Sequence, residues 1–292
     1  MKETNIKWLY LFILSLIWGS SFILIKKSLL GLTPFQLGAL RTIITGTFLF
    51  IAGFKSIKAI KKNEWKWIAL SGFLGSFFPA FLFAIAETEI DSTVVSILNS
   101  LTPLNTILMG FAVFKIASTK RQVLGVIVGF IGTSILILKG AELNPKQNYL
   151  FAGFVIASTL MYAANVNIIK RYLQNVKPLA IATGNYVIII LPAVVVLMVS
   201  GFFNEATFNH QDFKMAMVYV TILSFFGTAL AKVLFNKLIQ ISSPVFASSV
   251  TYVMPIIALG WGVLDGETFS VLQGMAALLI LVGVYLSQKK KA

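Results

Sequence analysis

The stretch LYLFILSLIWGSSFILIKK, residues 9–27, decides how the rest of the chain is interpreted. It begins as apolar sequence, passes through Trp18-Gly19-Ser20-Ser21, becomes apolar again and ends at two lysines. A basic start, an apolar core and small residues are typical of a cleaved signal peptide, whereas about 20 apolar residues are typical of a membrane span. Because the apolar run resumes at residues 22–25, we expect an uncleaved span with polar groups in its middle.

The composition of the chain predicts a membrane protein with several spans. Of its 292 residues, 58% are hydrophobic and 12% are charged, and the mean hydropathy is +0.88. Soluble domains carry about 25% charged residues, and they cannot hide this much apolar surface. The chain has no cysteine, and its single histidine, His210, lies in a polar stretch. We therefore expect no disulfide, no metal site and no cofactor.

Apolar runs of span length occur ten times, and each is close to the roughly 20 residues that cross a bilayer. They cover residues 7–25, 34–54, 65–86, 92–114, 122–138, 149–169, 178–201, 213–235, 244–264 and 269–287. The connecting segments are short and leave no room for a soluble domain. The predicted fold is an all-α membrane protein with ten transmembrane helices.

The basic residues predict the orientation of this protein. With the N-terminus placed inside, 18 lysines and arginines fall on the inner side, 5 on the outer side, and Arg41 within a span, of 24 in total. The positive-inside rule therefore predicts that both termini are cytoplasmic. The net charge of +14 is expected to lie against the anionic inner leaflet of a plasma membrane, with no role in nucleic-acid binding.

An internal repeat divides the chain into two predicted domains, residues 1–140 and residues 147–288. Several features recur in the same order at offsets between 144 and 152 residues. The corresponding pairs are Trp18 with Tyr162, Ser21 with Asn165, Lys26 with Lys170, Pro34 with Pro178, Asn99 with Thr251, Pro103 with Pro255, and Gly132 with Gly283. Because five spans per half is an odd number, the second half is predicted to be inverted, as in transporters that hold substrate between two inverted halves.

These residues give the chain a resemblance to a known family. The motif Trp18-Gly19-Ser20-Ser21-Phe22, the order of Pro34, Arg41 and Pro103, and the run from Val245 to Glu267 together resemble the EamA family of the drug/metabolite transporter superfamily. The resemblance covers nearly the whole chain. It implies ten helices in an inverted five-plus-five fold and export of small metabolites. One departure is visible, because Lys115 stands where the family usually has an acid after the fourth helix, while Glu267 is kept in the second half.

Polar residues within the first and sixth predicted spans are candidates for a substrate cavity. Trp18 and Ser21 are three residues apart, so they lie on one face of a helix, and Tyr162 and Asn165 repeat that spacing. Bulky polar side chains do not help close helix packing, which favours cavity lining for Trp18, Tyr162 and Asn165. Ser21 alternatively serves close helix packing, as small residues do in membranes.

Prolines in the fourth and ninth predicted spans are candidate hinges. Pro103 and Pro255 each remove a backbone donor and should kink their helices, freeing a carbonyl about one turn earlier. The side chains or freed carbonyls near Asn99 and Tyr252 are therefore predicted to contact substrate. The alternative is a structural kink whose carbonyls are bound locally by Ser100 or Thr102.

Arg41 is the most conspicuous charge within a predicted span, about 10 Å below the outer end of the second. A bare guanidinium there costs about 2.5–3.5 kcal/mol, so it should face a cavity or pair with an acid. One hypothesis is an anchor for a substrate carboxylate. The other is a structural pair with an acid after the third span, namely Glu87, Glu89 or Asp91. Lys232 is interpreted as reaching the cytoplasmic surface.

Glycines in the fifth and tenth predicted spans indicate scaffold helices. Gly125, Gly129 and Gly132 in one, and Gly274, Ala277 and Gly283 in the other, allow close helix contact with few polar groups. A homodimer through these two spans is therefore a possible partner arrangement.

The sequence favours a secondary transporter that exports small amphipathic metabolites, such as amino acids, related compounds or drugs, by alternating access. Because no acid lies near mid-span, uniport or weak proton coupling is expected. A nucleotide-sugar or sugar-phosphate exchanger of a related branch is an alternative, although it would need more than one buried cation. A non-transporting receptor or sensor is a second alternative. An intramembrane enzyme is not expected, because no catalytic dyad lies within the spans.

Overall fold

The structure is a computed structural model that describes residues 3–113, 119–143, 146–267 and 270–288, and all regular elements in these ranges are helical. Eight of these helices are long and apolar enough to cross a membrane. They are α1 (Ile6–Ser28), α2 (Pro34–Ala59), α3 (Trp65–Ala86), α4 (Ser92–Ala112), α6 (Tyr149–Tyr172), α7 (Pro178–Val199), α8 (Phe213–Ile241) and α9 (Pro244–Leu264). The prediction of an all-α membrane protein is confirmed.

Two further helices complete the described bundle, α5 (Lys120–Leu143) and α10 (Val271–Gln288). Their apolar parts, Val123–Leu136 and Val271–Gly283, are shorter than a full span. The count of ten spans and the cytoplasmic position of both termini therefore stay predictions. Lys115, where the chain departs from the family pattern, lies outside the described residues.

The two spans with the candidate hinge prolines, α4 and α9, are interrupted shortly before the proline. In α4 the helix stops at Asn99 and resumes at Thr102, with Pro103 in the first turn of the new segment. In α9 a short 3₁₀ segment, Ser249–Tyr252, precedes the helix that begins at Met254 and contains Pro255. Proline is tolerated in a first turn because the missing donor has no helical partner there. Both helices are thus interrupted where kinks were predicted, and hinge motion at these places stays a prediction.

The spans α3 and α8 each contain a widened π-helical segment, Phe73–Phe77 in one and Leu223–Leu230 in the other. The Gly75-Ser76 pair of the first segment lies 152 residues before the Gly227-Thr228 pair of the second, the same offset that separates Pro103 from Pro255. Such widened turns shift the backbone hydrogen-bond pattern and are frequent at functional sites. Nothing in the sequence pattern alone indicated these two segments.

The helices α5 and α10 pack closely through their glycines. A Cβ atom built on Gly283 would lie 2.6 Å from the carbonyl oxygen of Gly125 and would also collide with the backbone of Gly129. At Gly132 it would meet the backbone nitrogen of Ile280 at 2.9 Å. The glycine-containing faces of α5 and α10 thus pack against each other within the chain. A homodimer through these helices stays a prediction and would use their other faces.

The glycine contact predicts a position-specific loss of stability. Gly283→Ala should lower the free energy of unfolding by about 1–3 kcal/mol, because the new methyl group must push two backbones apart. Gly260 is the matched control, since it is also helical and a Cβ there has open space around it. Gly260→Ala should leave stability unchanged or raise it by up to about 1 kcal/mol. Thermal unfolding in detergent measures both, and equal midpoints for the two variants would contradict the packing.

Candidate substrate-binding cavity

A cavity lies among the eight span-length helices, and each of them contributes at least one lining residue. The empty space, counted together with its open side, measures about 930 Å³. No described residue of α5 or α10 contributes to the lining. The described walls of the cavity therefore come from the eight span-length helices alone.

The structure brings six of the seven predicted substrate-binding residues to this cavity. They are Trp18, Ser21, Arg41, Asn99, Tyr162 and Asn165. The seventh, Tyr252, is not among the lining residues, although its neighbours Thr251 and Met254 are. Contact of any of these side chains with a substrate stays a prediction.

The polar stretch within α1 has a partner for each residue. The Trp18 indole Nε1 donates to the carbonyl oxygen of Gly227 at 2.8 Å. Gly19 packs against Ile257 of α9, where no side chain would fit, and the Ser20 hydroxyl accepts from Trp261 Nε1 at 2.9 Å. The Ser21 hydroxyl donates to Ile17 O at 2.9 Å. Polar groups in the middle of this span thus hold α1 between α8 and α9.

The residue Asn165 of α6 combines lining with helix packing. Its Oδ1 accepts a hydrogen bond from the Ser71 hydroxyl at 2.7 Å, and its side chain lies so close to Gly75 that a Cβ there would collide. Tyr162, one turn earlier, is stacked on Phe83 with ring centroids 5.9 Å apart. The aromatic and amide groups of α6 therefore form one wall of the cavity against α3.

The carbonyls freed by the two interruptions are bound by the protein. The Thr102 hydroxyl donates to Asn99 O at 2.8 Å. This is the alternative given for α4, in which a neighbouring hydroxyl binds the freed carbonyl. In α9 the Thr251 carbonyl accepts from the Ser100 hydroxyl at 3.0 Å, so the two interruptions contact each other. These carbonyls do not point free into the cavity, which is lined in this region by Asn99, Thr102 and Thr251.

Arg41 does not pair with an acid in the described structure. Its Nε donates to the Thr228 hydroxyl at 2.9 Å, and no described carboxylate lies within 4 Å of it. The hypothesis of a structural pair with Glu87, Glu89 or Asp91 is therefore not supported by the geometry. The other four N–H donors of the guanidinium, on Nη1 and Nη2, have no described protein partner.

Lys232 also lines the cavity, contrary to the interpretation that it reaches the cytoplasmic surface. The residue is 6% exposed, and its Nζ donates to Ser76 Oγ at 2.9 Å and to Gly75 O at 3.3 Å. The sequence signal that would have identified it is the internal repeat. At the offset of 152, Lys232 corresponds to Ala80, which lines the same cavity.

The widened segments of α3 and α8 receive equivalent bonds. In α3, Lys232 from the second half binds the Gly75 carbonyl and the Ser76 hydroxyl. In α8, Trp18 and Arg41 from the first half bind the Gly227 carbonyl and the Thr228 hydroxyl. Each half therefore presents one carbonyl and one hydroxyl that the opposite half contacts across the cavity.

A cluster of charges ties α1, α4 and α9 together at one end of the bundle. Lys26 Nζ lies 2.8 Å from Glu267 and 3.0 Å from Asp265, and Lys27 also pairs with Asp265. The Glu267 carboxylate in addition accepts from the hydroxyls and backbone amides of Ser92 and Thr93, at the first turn of α4. A turn at Gly266, with φ of 84°, brings this carboxylate back over the bundle.

The environment of these carboxylates shifts their pKa values in opposite directions. Burial raises the pKa of Glu267, but the hydrogen bonds from Lys26, Thr93 and Ser92 together with the charge of Lys26 lower it more, so the net pKa is below the ordinary value. Glu87 follows α3 at the same end, and its carboxylate oxygens have no described partner. Burial, followed by repulsion from Glu267, raises the pKa of Glu87 well above its ordinary value, against the attraction of Arg41 and Lys26. These surroundings therefore favour the neutral form of the Glu87 carboxyl.

The fold is that of an integral membrane protein with an internal cavity. The EamA-like transporter family model matches residues 5–138 and 150–288, which is most of the chain. This chain belongs to the EamA-like transporter family.

Curated relatives are similar over nearly their full length. The "Probable amino-acid metabolite efflux pump" of Salmonella typhimurium is 25% identical, covering 93% of this chain and 91% of that protein. The uncharacterized inner membrane transporter YedA of Escherichia coli (strain K12) is 26% identical over 94% of this chain and 88% of its own length. The uncharacterized transporter YyaM of Bacillus subtilis (strain 168) is 24% identical over 97% and 93%. These names are those of transporters.

A solved crystal structure supports the fold. It is 18% identical to this chain with a TM-score of 0.67, covering 96% of this chain and 95% of the other.

The charge cluster predicts a loss of stability at one position. Glu267→Gln should lower the free energy of unfolding by about 1.5–3 kcal/mol, the range for a charge-assisted hydrogen bond, since Lys26 keeps Asp265 as a partner. The lowered pKa of Glu267 means that this stabilisation is complete above its ordinary pKa of 4.5 and is lost as the pH falls through the lower folded value. Thermal unfolding in detergent at several pH values measures both effects.

Glu205 provides the control for this experiment, because it is an exposed acid outside the cluster. Glu205→Gln should change the unfolding free energy by less than about 0.5 kcal/mol. Equal stability of Glu267→Gln and Glu205→Gln at neutral pH would show that the cluster does not stabilise the bundle.

Proposed function

We propose that this protein is a secondary transporter that exports small amphipathic metabolites bearing a carboxylate, with amino acids and related compounds as the first candidates. The observation that carries the proposal is Arg41, which lines the cavity with four N–H donors that have no described protein partner. A guanidinium binds carboxylates through paired hydrogen bonds. The relative named as an amino-acid metabolite efflux pump supports the choice of substrate class.

The cavity walls support a substrate with an apolar part. Trp18 packs edge-to-face on Phe235 with ring centroids 4.9 Å apart, and Phe22 and Phe83 line the same space. Such rings would bury an aliphatic or aromatic side chain, while Asn99 and the Tyr162 hydroxyl offer polar contacts beside Arg41. An amphipathic metabolite would use both kinds of surface.

The proposed mechanism is alternating access between two inverted halves in the inner membrane. We infer ten spans with both termini in the cytoplasm, from the distribution of lysine and arginine. This orientation would put the charge cluster of Lys26, Asp265 and Glu267 at the outer side, where its opening and closure would gate release. The widened segments of α3 and α8 occupy corresponding positions in the two halves. This correspondence supports a cavity that both halves share.

A second candidate function is exchange of sugar phosphates or nucleotide sugars. The observation that favours it is Lys232, which supplies the second buried cation that such substrates require. Counterflow with labelled amino acids against labelled nucleotide sugars separates this candidate from the first.

Neutralising Arg41 tests the carboxylate anchor. Arg41→Gln should reduce transport of carboxylate substrates by about 10- to 100-fold, since a charge-assisted hydrogen bond is worth about 1.5–3 kcal/mol. A metabolite-efflux screen of overexpressing cells identifies the substrate, and uptake of that substrate into proteoliposomes measures the loss.

Arg121 is the matched control for Arg41, because it is exposed on α5 and does not line the cavity. Arg121→Gln should transport at the native rate. A folded and inserted Arg41→Gln protein that transports as well as Arg121→Gln would remove the anchor from the proposal.

The cavity lining also predicts weak coupling to protons. None of the described lining residues is an aspartate, a glutamate or a histidine, which are the groups that proton-coupled carriers use. Substrate efflux from proteoliposomes should therefore proceed at the same rate, within about twofold, with and without an imposed proton gradient. A strict requirement for the gradient would contradict this expectation, and Glu87 would then be the first candidate for a proton-binding group.

A further inference from the structure

The described lining of the cavity carries two basic side chains and no acidic one. We propose that its substrate bears two negative charges, as a short dicarboxylate or a phosphate monoester does, and that Arg41 and Lys232 together bind this charge. This inference rests on the proposed function, because it assumes that the cavity binds what the protein transports. It narrows the substrate class from carboxylates in general to dianions, ahead of simple amino acids, and it assigns Lys232 as a specificity-determining residue.

The first support is that each cation is held by neutral groups only. Arg41 is oriented by the Thr228 hydroxyl, and Lys232 by the Ser76 hydroxyl and the Gly75 carbonyl. These bonds fix where the charges lie but do not neutralise them. In the described chain no carboxylate lies within 4 Å of either cation.

The second support is the number of donors that remain. A charged lysine has three N–H donors, of which two are used, and an arginine has five, of which one is used. One donor of Lys232 and four of Arg41 therefore stay available to a ligand. The planar guanidinium of Arg41 suits a planar carboxylate, whereas the ammonium group of Lys232 binds a carboxylate or a phosphate equally well.

The third support is that both cations line the same cavity. Arg41 is held at Thr228 of α8, and Lys232 is held at Gly75 and Ser76 of α3. One small molecule bound in this cavity can therefore contact both cations.

The charge balance disfavours a simple zwitterion. An amino acid with one carboxylate would neutralise one cation and place its ammonium group in a cavity that holds another positive charge. Charges inside a membrane protein are costly unless they are paired. A dianion neutralises both cations, so it should bind in preference to a zwitterion of the same size.

The test compares substrates in proteoliposomes that contain the full-length protein. The probes are labelled succinate, glycerol 3-phosphate, butyrate and leucine, each measured by counterflow. We expect succinate or glycerol 3-phosphate to be taken up at least about ten times faster than leucine, the low end for one charge-assisted hydrogen bond. Preference for succinate identifies a dicarboxylate substrate, and preference for glycerol 3-phosphate identifies a phosphate monoester.

The variant Lys232→Met removes one of the two charges while it keeps an unbranched side chain. It should reduce uptake of the preferred dianion by at least about ten-fold and change butyrate uptake by less than about twofold, since Arg41 remains. Lys237→Met is the matched control, because Lys237 is exposed five residues further along α8. It should transport all four probes at the native rate.

Three outcomes overturn or limit the inference. Faster uptake of leucine than of either dianion by the native protein overturns it and leaves the proposed export of amino acids standing. Unchanged dianion uptake by Lys232→Met or by a second variant, Lys232→Gln, also overturns it. Uptake of none of the probes by a folded protein, together with an empty metabolite-efflux screen, contradicts the proposed function itself. If Lys232→Met does not fold, the inference is tested by the substrate selectivity of the native protein and by the dianion uptake of Lys232→Gln.

Discussion

Backbone groups in lipid must find their hydrogen bonds inside the protein, and this constraint governs how the bundle is assembled. Four spans, α3, α4, α8 and α9, contain an interruption or a widened segment that releases carbonyls from the regular helical pattern. Each released group described above receives a donor from a side chain. Trp18 and Lys232 serve α8 and α3, while Ser15 donates to Val250 O at 2.9 Å in α9. The irregular segments thus determine which helices lie side by side.

The same constraint explains why the cavity forms at this place. The released carbonyls and adjacent hydroxyls concentrate polar atoms at mid-span, and the side chains that bind them are necessarily polar as well. Arg41, Lys232 and Trp18 are oriented by these bonds with their remaining surface toward a common space. Helices α5 and α10 have no such interruption in their described residues, and they contribute no wall.

The sequence predicted the helical membrane fold and most of the candidate cavity, because both depend on local signals. Span length and polar residues at helical spacing were sufficient to find Trp18, Tyr162 and Asn165. Lys232 was misplaced because a lysine near the end of an apolar run is ordinarily able to reach the surface, and only the tertiary position of Ser76 and Gly75 shows where it points. Tyr252, at the end of the 3₁₀ segment in α9, is not among the lining residues although Thr251 and Met254 are, and its contact with substrate stays a prediction.

The two basic side chains have a consequence for ions that are not substrates. A sodium ion that enters the cavity meets Arg41 and Lys232 with no described acid among the lining residues to offset them. Positive groups within a pore raise an electrostatic barrier to cations, as they do in water-selective channels. We therefore expect the cavity to resist the leakage of metal cations across the bilayer between transport cycles.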